Sequence, residues 1–116
     1  MNNVVLMGRL TKDIEVRETS SGLKVTDFTL AVDRVGKNDE TDFVRCTAWR
    51  QMAEYLERYA KKGNRVLLEG KVRVDSWEDD EGEYHEITKI TCDSVSLLDW
   101  NDSEKSGKNK SKKYNK

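Results

Sequence analysis

The order of its periodic segments is the feature that most constrains how this chain folds. The first three segments have the composition of strands, the first as an apolar run and the next two with alternating residues; one segment then has helical spacing, and two more segments have the pattern of strands. These segments are, in order, residues 3–18, 24–33, 42–49, 51–62, 65–77 and 84–98. We therefore expect three strands, then one helix, then two strands, within a single domain.

Glycine lies inside the first and fourth predicted strands, as Gly8 and Gly70. Within a strand, glycine is typical of a bulge or of the sharp bend at a barrel corner. Together with the order of the elements, these bends predict an all-β fold, the five-stranded Greek-key barrel called the OB-fold, with one α-helix between strands 3 and 4. The apolar positions of the fifth strand change phase between Ile90 and Val95, which predicts a bulge there.

Alternation also predicts which side chains face the core. In the second, third and fourth strands these are Phe28, Leu30, Val32, Val44, Cys46, Ala48, Val66, Leu68, Val72 and Val74. The chain has two cysteines and one histidine, so we predict reduced, buried thiols and neither a disulfide framework nor a zinc site.

The composition changes near residue 100. Residues 101–116 contain six lysines, two acidic residues and no aliphatic side chain, so we predict a disordered basic tail with a net charge of +4. The predicted domain, residues 1–100, then carries a net charge of -5, and Trp100 is predicted to pack as a lid over the barrel end. The tail either tethers phosphates or is a solubilising segment with no role in binding.

Large aromatic side chains and cations share one face in two of the predicted strands. The residues on this face are Phe43, Arg45, Thr47 and Trp49 in the third strand and Lys71, Arg73 and Trp77 in the fourth. Single-stranded nucleic acid is bound where aromatic rings stack on bases and cations contact phosphates. The alternative, a core or subunit-interface role for the aromatic rings, would also bury unpaired charges. The pattern therefore favours binding of a single strand.

Further cations and one tyrosine are weaker candidates for contact with a strand. They are Arg9, Lys12, Arg34, Arg50, Lys61, Lys62 and Tyr84. Any one of these lysines and arginines is more often a solvated side chain than a phosphate contact, so only the cluster indicates nucleic-acid binding.

The sequence offers little for catalysis. His85 lies among the acidic residues of segment 78–86 and has no serine or cysteine near it in sequence. These carboxylates lack the spacing of a calcium-binding loop, so we predict a solvated hairpin loop, no metal, no cofactor and no enzymatic activity. No apolar run is long enough to span a bilayer, from which we predict a cytoplasmic protein without membrane contact.

Several segments resemble, in order, those of the bacterial-type single-stranded DNA-binding proteins. They are VVLMGRLTKDIEVR at residues 4–17, FTLAVDR at 28–34, DFVRCTAW at 42–49, AEYLERYAKKG at 53–63 and VLLEGKVRVDSW at 66–77. The resemblance covers about residues 1 to 100, and its motifs are specific in combination.

The resemblance implies an OB-fold that assembles as a homotetramer, with a dimer as the alternative, and coats single-stranded DNA during replication, recombination and repair. It implies no catalytic activity. It places Phe43, Trp49 and Trp77 at base-stacking positions of the family. It also implies that subunits pair edge to edge along the first strand, through Asn2, Asn3, Val4, Val5 and Leu6.

The chain departs from the family in three places. The hairpin after Trp77 is unusually acidic and would repel phosphates unless it bends away. Around Val35 the family usually has a further aromatic residue, and here it is missing. Cellular members end in an acidic tip that recruits replication and repair proteins, whereas residues 101–116 are basic, so recruitment of such proteins stays open. A short-tailed bacterial member and a phage-encoded member both fit. The alternative function is that of an OB-fold accessory module, of the primosome type, with weak DNA contact.

Overall fold

Seven elements follow one another along the chain. The structure is a computed structural model that describes residues 1–36 and 40–99. Its elements are β1 (Val4–Leu10), β2 (Arg17–Glu18), β3 (Lys24–Asp33), β4 (Thr41–Trp49), the helix α1 (Gln51–Tyr59), β5 (Arg65–Glu78) and β6 (Tyr84–Leu97). The first predicted strand is thus divided into β1 and the short strand β2. The predictions for Trp100 and for the tail at 101–116 lie outside the described residues.

The strands close into a ring. Their order in the sheet is β1-β5-β6-β4-β3-β2, and a further pairing of β1 with β3 joins the first and fifth members of that series. Only β4 and β6 pair in parallel, and every other pairing is antiparallel. The predicted five-stranded OB-fold barrel, with a helix between its third and fourth long strands, is confirmed.

Glycine allows the close approach of strands at two places in this ring. A Cβ atom at Gly8 would collide with the carbonyl oxygen of Ala31, and one at Gly70 would collide with that of Thr91. Next to Gly70 the register of β5 and β6 shifts, because Gly70 pairs with Cys92 while Glu69 pairs with Ser94. The residue between Cys92 and Ser94 is therefore the extra residue of a bulge, which confirms the bulge predicted between Ile90 and Val95.

The core lies inside the ring and beneath α1. The buried cluster consists of Leu10, Leu30, Cys46, Ala48, Tyr55, Leu56, Ala60, Val66, Leu68, Ile90, Cys92, Val95 and Leu97. The Tyr55 hydroxyl accepts a hydrogen bond from the Leu97 amide at 3.0 Å, which fixes the helix to the end of β6. Both thiols are buried, as predicted, and burial raises the pKa of Cys46 to about 12.

The helix is shorter than the sequence pattern predicts. It ends at Tyr59, and Ala60 is already extended, with φ -100° and ψ 148°. The backbone beyond it bonds elsewhere: the Lys62 amide donates to Asp13 Oδ1 and the Gly63 amide donates to the carbonyl of Leu10. The prediction that the helix runs to residue 62 was therefore wrong, because contacts with the end of β1 replace its last turn. No helix among the described residues has the length and hydropathy to cross a membrane.

The outer parts of β5 and β6 extend past the ring as a two-stranded arm. Beyond Gly70, β5 pairs only with β6, and residues 84–89 of β6 pair only with β5. We call residues 71–89 the β5–β6 arm. Val72 and Val74 lie on it and are 37% and 55% exposed, so the prediction that they face the core was wrong. Their alternation is that of an inward face, but the barrel ends before it reaches them.

Candidate nucleic-acid interface

The strand registers place the predicted aromatic and cationic residues on one continuous surface. Residues that face each other across neighbouring strands share a sheet face. Thr29 lies opposite Arg45, Thr47 lies opposite Thr91, and Thr91 lies opposite Lys71. The pairing therefore carries one face from β3 through β4 and β6 to β5. We call it the outer sheet face; its members include Arg9, Asp27, Thr29, Ala31, Phe43, Arg45, Thr47, Trp49, Lys71, Arg73, Asp75, Trp77, His85, Ile87, Lys89 and Thr91.

Aromatic rings stand exposed at two positions of the outer sheet face. Phe43 is 67% exposed on β4, and Trp77 is 51% exposed on the β5–β6 arm. Trp49, at the end of β4, is half-buried and lines a hollow with Arg50, Gln51 and Met52. Neither Phe43 nor Trp77 is part of the core, so both rings are accessible for stacking.

A groove crosses the outer sheet face between the barrel and the arm. One part is a hollow of about 330 Å³, lined by Asp27, Phe28, Thr29, Arg45, Cys46, Thr47, Ile87 and Lys89. A second hollow, of about 510 Å³, is lined by Thr11, Lys12, Asp13, Glu15, Asp27, Phe28, Thr29 and Lys62. Both hollows are lined by Asp27, Phe28 and Thr29, so they adjoin each other. The second hollow, which Lys12 and Lys62 line, therefore extends the first one, which Arg45 lines.

The cations of the outer sheet face differ in whether they are already paired. Lys71 is paired with Asp93 at 2.8 Å, and Lys89 is paired with Asp75 at 3.2 Å. Within residues 1–36 and 40–99, neither Arg45 nor Arg73 forms an ion pair. Since an unpaired guanidinium gives up no protein partner when it meets a phosphate, these two arginines are the best placed for phosphate contacts.

One of the carboxylates that line the groove, Asp27, is neutralised there. Asp27 Oδ2 accepts a bond from Arg17 at 2.7 Å, and Asp27 Oδ1 accepts one from the Thr47 hydroxyl at 2.8 Å. Burial raises the pKa of Asp27, but the bonds from Arg17 and Thr47 outweigh burial and hold that pKa below its usual value. The carboxylate is therefore charged at neutral pH, and Arg17 balances the charge.

Two of the weaker candidates are arginines that already have acidic partners. Arg34 is held by Asp42 and Glu40, each at 3.0 Å, in the connection between β3 and β4, and the bond to Asp42 raises its pKa. Arg9 lies opposite Ala31, which lies opposite Phe43, so Arg9 shares the outer sheet face and lines a hollow with Phe43. It donates to the Gly63 carbonyl and is paired with Asp99 at 3.8 Å.

Lys61 and Arg50 occupy the two ends of the helix region. The Lys61 amide donates to Asn64 Oδ1 in the turn after α1. Arg50 precedes α1 with a φ of 55° and donates its amide to the Lys24 carbonyl at 2.7 Å. Of the two, Arg50 is the one that borders the hollow beside Trp49.

Tyr84 is exposed but faces away from Trp77. Tyr84 pairs with Glu78 and His85 pairs with Trp77, so these adjacent pairs lie on opposite faces of the β5–β6 arm. The Tyr84 hydroxyl donates to Glu86 at 3.0 Å. Conversely, Lys89, Ile87 and His85 join the outer sheet face although they were not among the predicted contacts. Their alternation in β6 is the signal that identifies them, once the register with β5 is known.

Comparisons with known proteins agree with this geometry. Residues 1–98 match the model of the family described as "Single-strand binding protein family". The chain is 41% identical over 106 residues to single-stranded DNA-binding protein 1 of Streptococcus pyogenes, covering 88% of this chain and 82% of that protein.

Two further relatives are longer than this chain. Single-stranded DNA-binding protein 3 of Listeria innocua is 43% identical over 103 residues, which cover 85% of this chain and 64% of the relative. The single-stranded DNA-binding protein of Enterococcus faecalis is 41% identical over 103 residues, or 85% of this chain and 55% of the relative. The chain thus spans between about half and four fifths of the length of these relatives. It belongs to the single-strand binding protein family.

Proposed function

We propose that this chain binds single-stranded DNA without selecting a base sequence and protects it during replication, recombination and repair. The observation that carries the proposal is the outer sheet face, where exposed aromatic rings lie among arginines that have no ion-pair partner in the described chain. The relatives' names and the family match support the same ligand. The function is binding, with no catalytic step.

The residue types on the outer sheet face suit a ligand of any sequence. Phe43 and Trp77 offer ring faces, and every base has a face that stacks on an aromatic ring. Arg45 and Arg73 offer guanidinium groups to phosphates, which are the same at every nucleotide. Affinity therefore depends on the number of nucleotides in contact rather than on their identity. The acidic turn begins just beyond Trp77 and repels phosphates, so contact of the strand with the arm ends at that ring.

We further propose that the chain acts as a homotetramer, with a dimer as the alternative. Along β1, residues 4–9 pair with β5, but β3 reaches only Arg9 and Leu10. Within the described chain, the remainder of β1 therefore has one free edge on which a second copy could pair. The edge is fixed at its start, because the Asn2 side chain bonds both the amide and the carbonyl of Val72 at 2.8 and 2.9 Å.

An apolar patch beside this edge supports a second contact between copies. Val5, Met7 and Leu67 are 59%, 51% and 41% exposed, and Met7 lies opposite Leu67 in the register of β1 and β5. Edge pairing joins two copies, whereas packing of such patches joins two pairs. Light scattering of wild type and Met7→Glu tests this: the variant should form a dimer, and an unchanged mass would contradict the role of the patch.

Titration with poly-dT at two salt concentrations tests the binding function. We expect saturable quenching of tryptophan fluorescence and an affinity that falls as salt rises, with a slope of about -0.7 per phosphate neutralised. An accessory module with weak DNA contact would show little quenching. Absence of saturable binding at the lower salt concentration would refute the proposal.

A further inference from the structure

The β5–β6 arm contains a stack of two rings next to its acidic turn. His85 lies directly opposite Trp77, and the two rings are stacked with centroids 5.4 Å apart and an interplanar angle of 22°. The imidazole Nε2 donates to Asp79 Oδ2 at 2.8 Å. His85 is the one histidine of the chain, so no other imidazole complicates its titration.

The turn holds Asp79 in place for this bond. Its Oδ1 accepts the amides of Glu81 and Glu83, both at 2.9 Å, and its own amide donates to the Glu83 carbonyl at 2.9 Å. The hydrogen bond from His85, followed by that from the Glu83 amide, lowers the pKa of Asp79, so its carboxylate is charged at neutral pH. The turn thus orients the imidazole, and the imidazole in turn contacts one face of the indole.

We propose that His85 is a positioning residue of the DNA-binding surface: it holds Trp77 from one side, leaves the other indole face to a base, and favours the bound strand when protonated. This inference rests on the proposed function, because it assigns a role within the same surface. It makes the DNA affinity of the outer sheet face depend on pH, which the aromatic rings and arginines alone would not do.

Protonation strengthens both contacts of the ring. The bond to Asp79 becomes a charge-assisted hydrogen bond, and the stack on Trp77 becomes a cation–π contact. Both hold the indole more firmly and reduce the conformational freedom lost when a base stacks on it. The new positive charge also lies on the face that a phosphate chain would follow.

The charges around His85 set the direction of the pH dependence. In the turn, carboxylate oxygens of Asp79 and Glu83 lie within 4.8 Å of a ring nitrogen of His85 and of each other. On the same face, Asp75 of β5 is paired with Lys89 of β6. Bound phosphate adds a further negative charge beside the ring, which favours the protonated imidazole. DNA affinity should therefore rise as the pH falls.

The first test uses the protein without DNA and a chelator in the buffer. A protonated imidazole quenches an indole that it touches, so we expect tryptophan fluorescence to fall in a single-proton transition between about pH 7.5 and pH 5.5. The transition should be absent in His85→Gln and in Trp77→Phe. A wild-type signal without this transition, or a transition that persists in either variant, would overturn the contact on which the proposal depends.

The second test measures the affinity for labelled oligo-dT over the same pH range. We expect wild-type affinity to rise about threefold to tenfold on acidification, which is the size expected of one added cation–π or charge-assisted contact. His85→Phe keeps a stacked ring that cannot take up a proton, so its affinity should not rise on acidification. His85→Gln should bind about threefold more weakly at the upper pH and also lack the rise.

The possible results distinguish failure of the proposed role of His85 from failure of the proposed DNA-binding function. Parallel pH profiles for wild type and His85→Gln would refute the role of His85 alone. Loss of DNA binding by every variant at every pH would refute the proposed function and this inference together, even with the fluorescence transition present. The thermal unfolding midpoint serves as the folding control, because the His85 side chain is 42% exposed and both replacements should fold.

Discussion

Replacing Trp77 by alanine tests base stacking at a position where the structure supplies a matched control. Trp77 and Tyr84 are both exposed aromatic residues, at 51% and 64%, but they lie on opposite faces of the same arm. The indole is covered on one face by His85, which leaves one face for one base. One stacked base is worth about 1–3 kcal/mol, so Trp77→Ala should weaken oligo-dT binding about fivefold to 150-fold. Tyr84→Ala should leave the affinity unchanged.

Fluorescence anisotropy of a labelled oligo-dT is the suitable assay, because Trp77→Ala removes part of the tryptophan signal itself. Trp77 is not part of the buried cluster, so both variants should retain the unfolding transition of the barrel. Equal affinity of Trp77→Ala and wild type would refute stacking at this position. An equal loss in both variants would show that the arm as a whole, rather than its outer face, supports binding.

The remaining predictions concern charge, packing, acid stability and the tail. Arg45→Gln should weaken binding and reduce the steepness of the salt dependence by about 0.7 in a log–log plot, whereas Arg34→Gln, which removes an ion-paired arginine, should change neither. Gly70→Ala should lower the free energy of unfolding in urea by about 1–3 kcal/mol, because the new Cβ collides with backbone atoms of β6, and wild-type stability would contradict that packing. Because folding lowers the pKa of Asp27, its carboxylate stabilises the fold above the ordinary aspartate pKa of 3.8, and this stability is lost as the pH falls through the pKa of the folded state. Asp27→Asn should therefore lose less stability than wild type on acidification. Identical acid unfolding profiles would contradict this role of Asp27. Deleting residues 101–116 should weaken binding modestly and make the salt dependence shallower, whereas identical affinity would favour a solubilising segment.

The sequence pattern predicted which face of a strand each side chain occupies better than it predicted whether that face is buried. Alternation in β4 separates Phe43 and Arg45 from Cys46, because side chains change face at every residue of a strand. The same rule grouped Val72 and Val74 with Val66, yet only Val66 lies where the ring encloses it. Where the barrel ends depends on how far β1 and β4 pair, and that is a property of the whole sheet.

The strand registers and the ion pairs could not be predicted from the local sequence pattern either. The position of Tyr84 opposite Glu78 depends on the length of the acidic turn, which decides the face that each later residue of β6 occupies. The pairing of Lys71 with Asp93 depends on the bulge that adds Asp93 to β6. The sequence indicated the cations near the groove, but only the assembled strands separate the paired Lys71 from the unpaired Arg45.

Competition between nucleic acids tests the central claim, that the outer sheet face binds single strands regardless of sequence. Labelled oligo-dT bound to the protein would be displaced by unlabelled single strands of mixed sequence or by a duplex of the same length. Stacking needs unpaired bases and phosphate contacts do not distinguish bases, so mixed-sequence single strands should displace the label and the duplex should not. Equal displacement by the duplex, or displacement by a single base sequence only, would contradict the account.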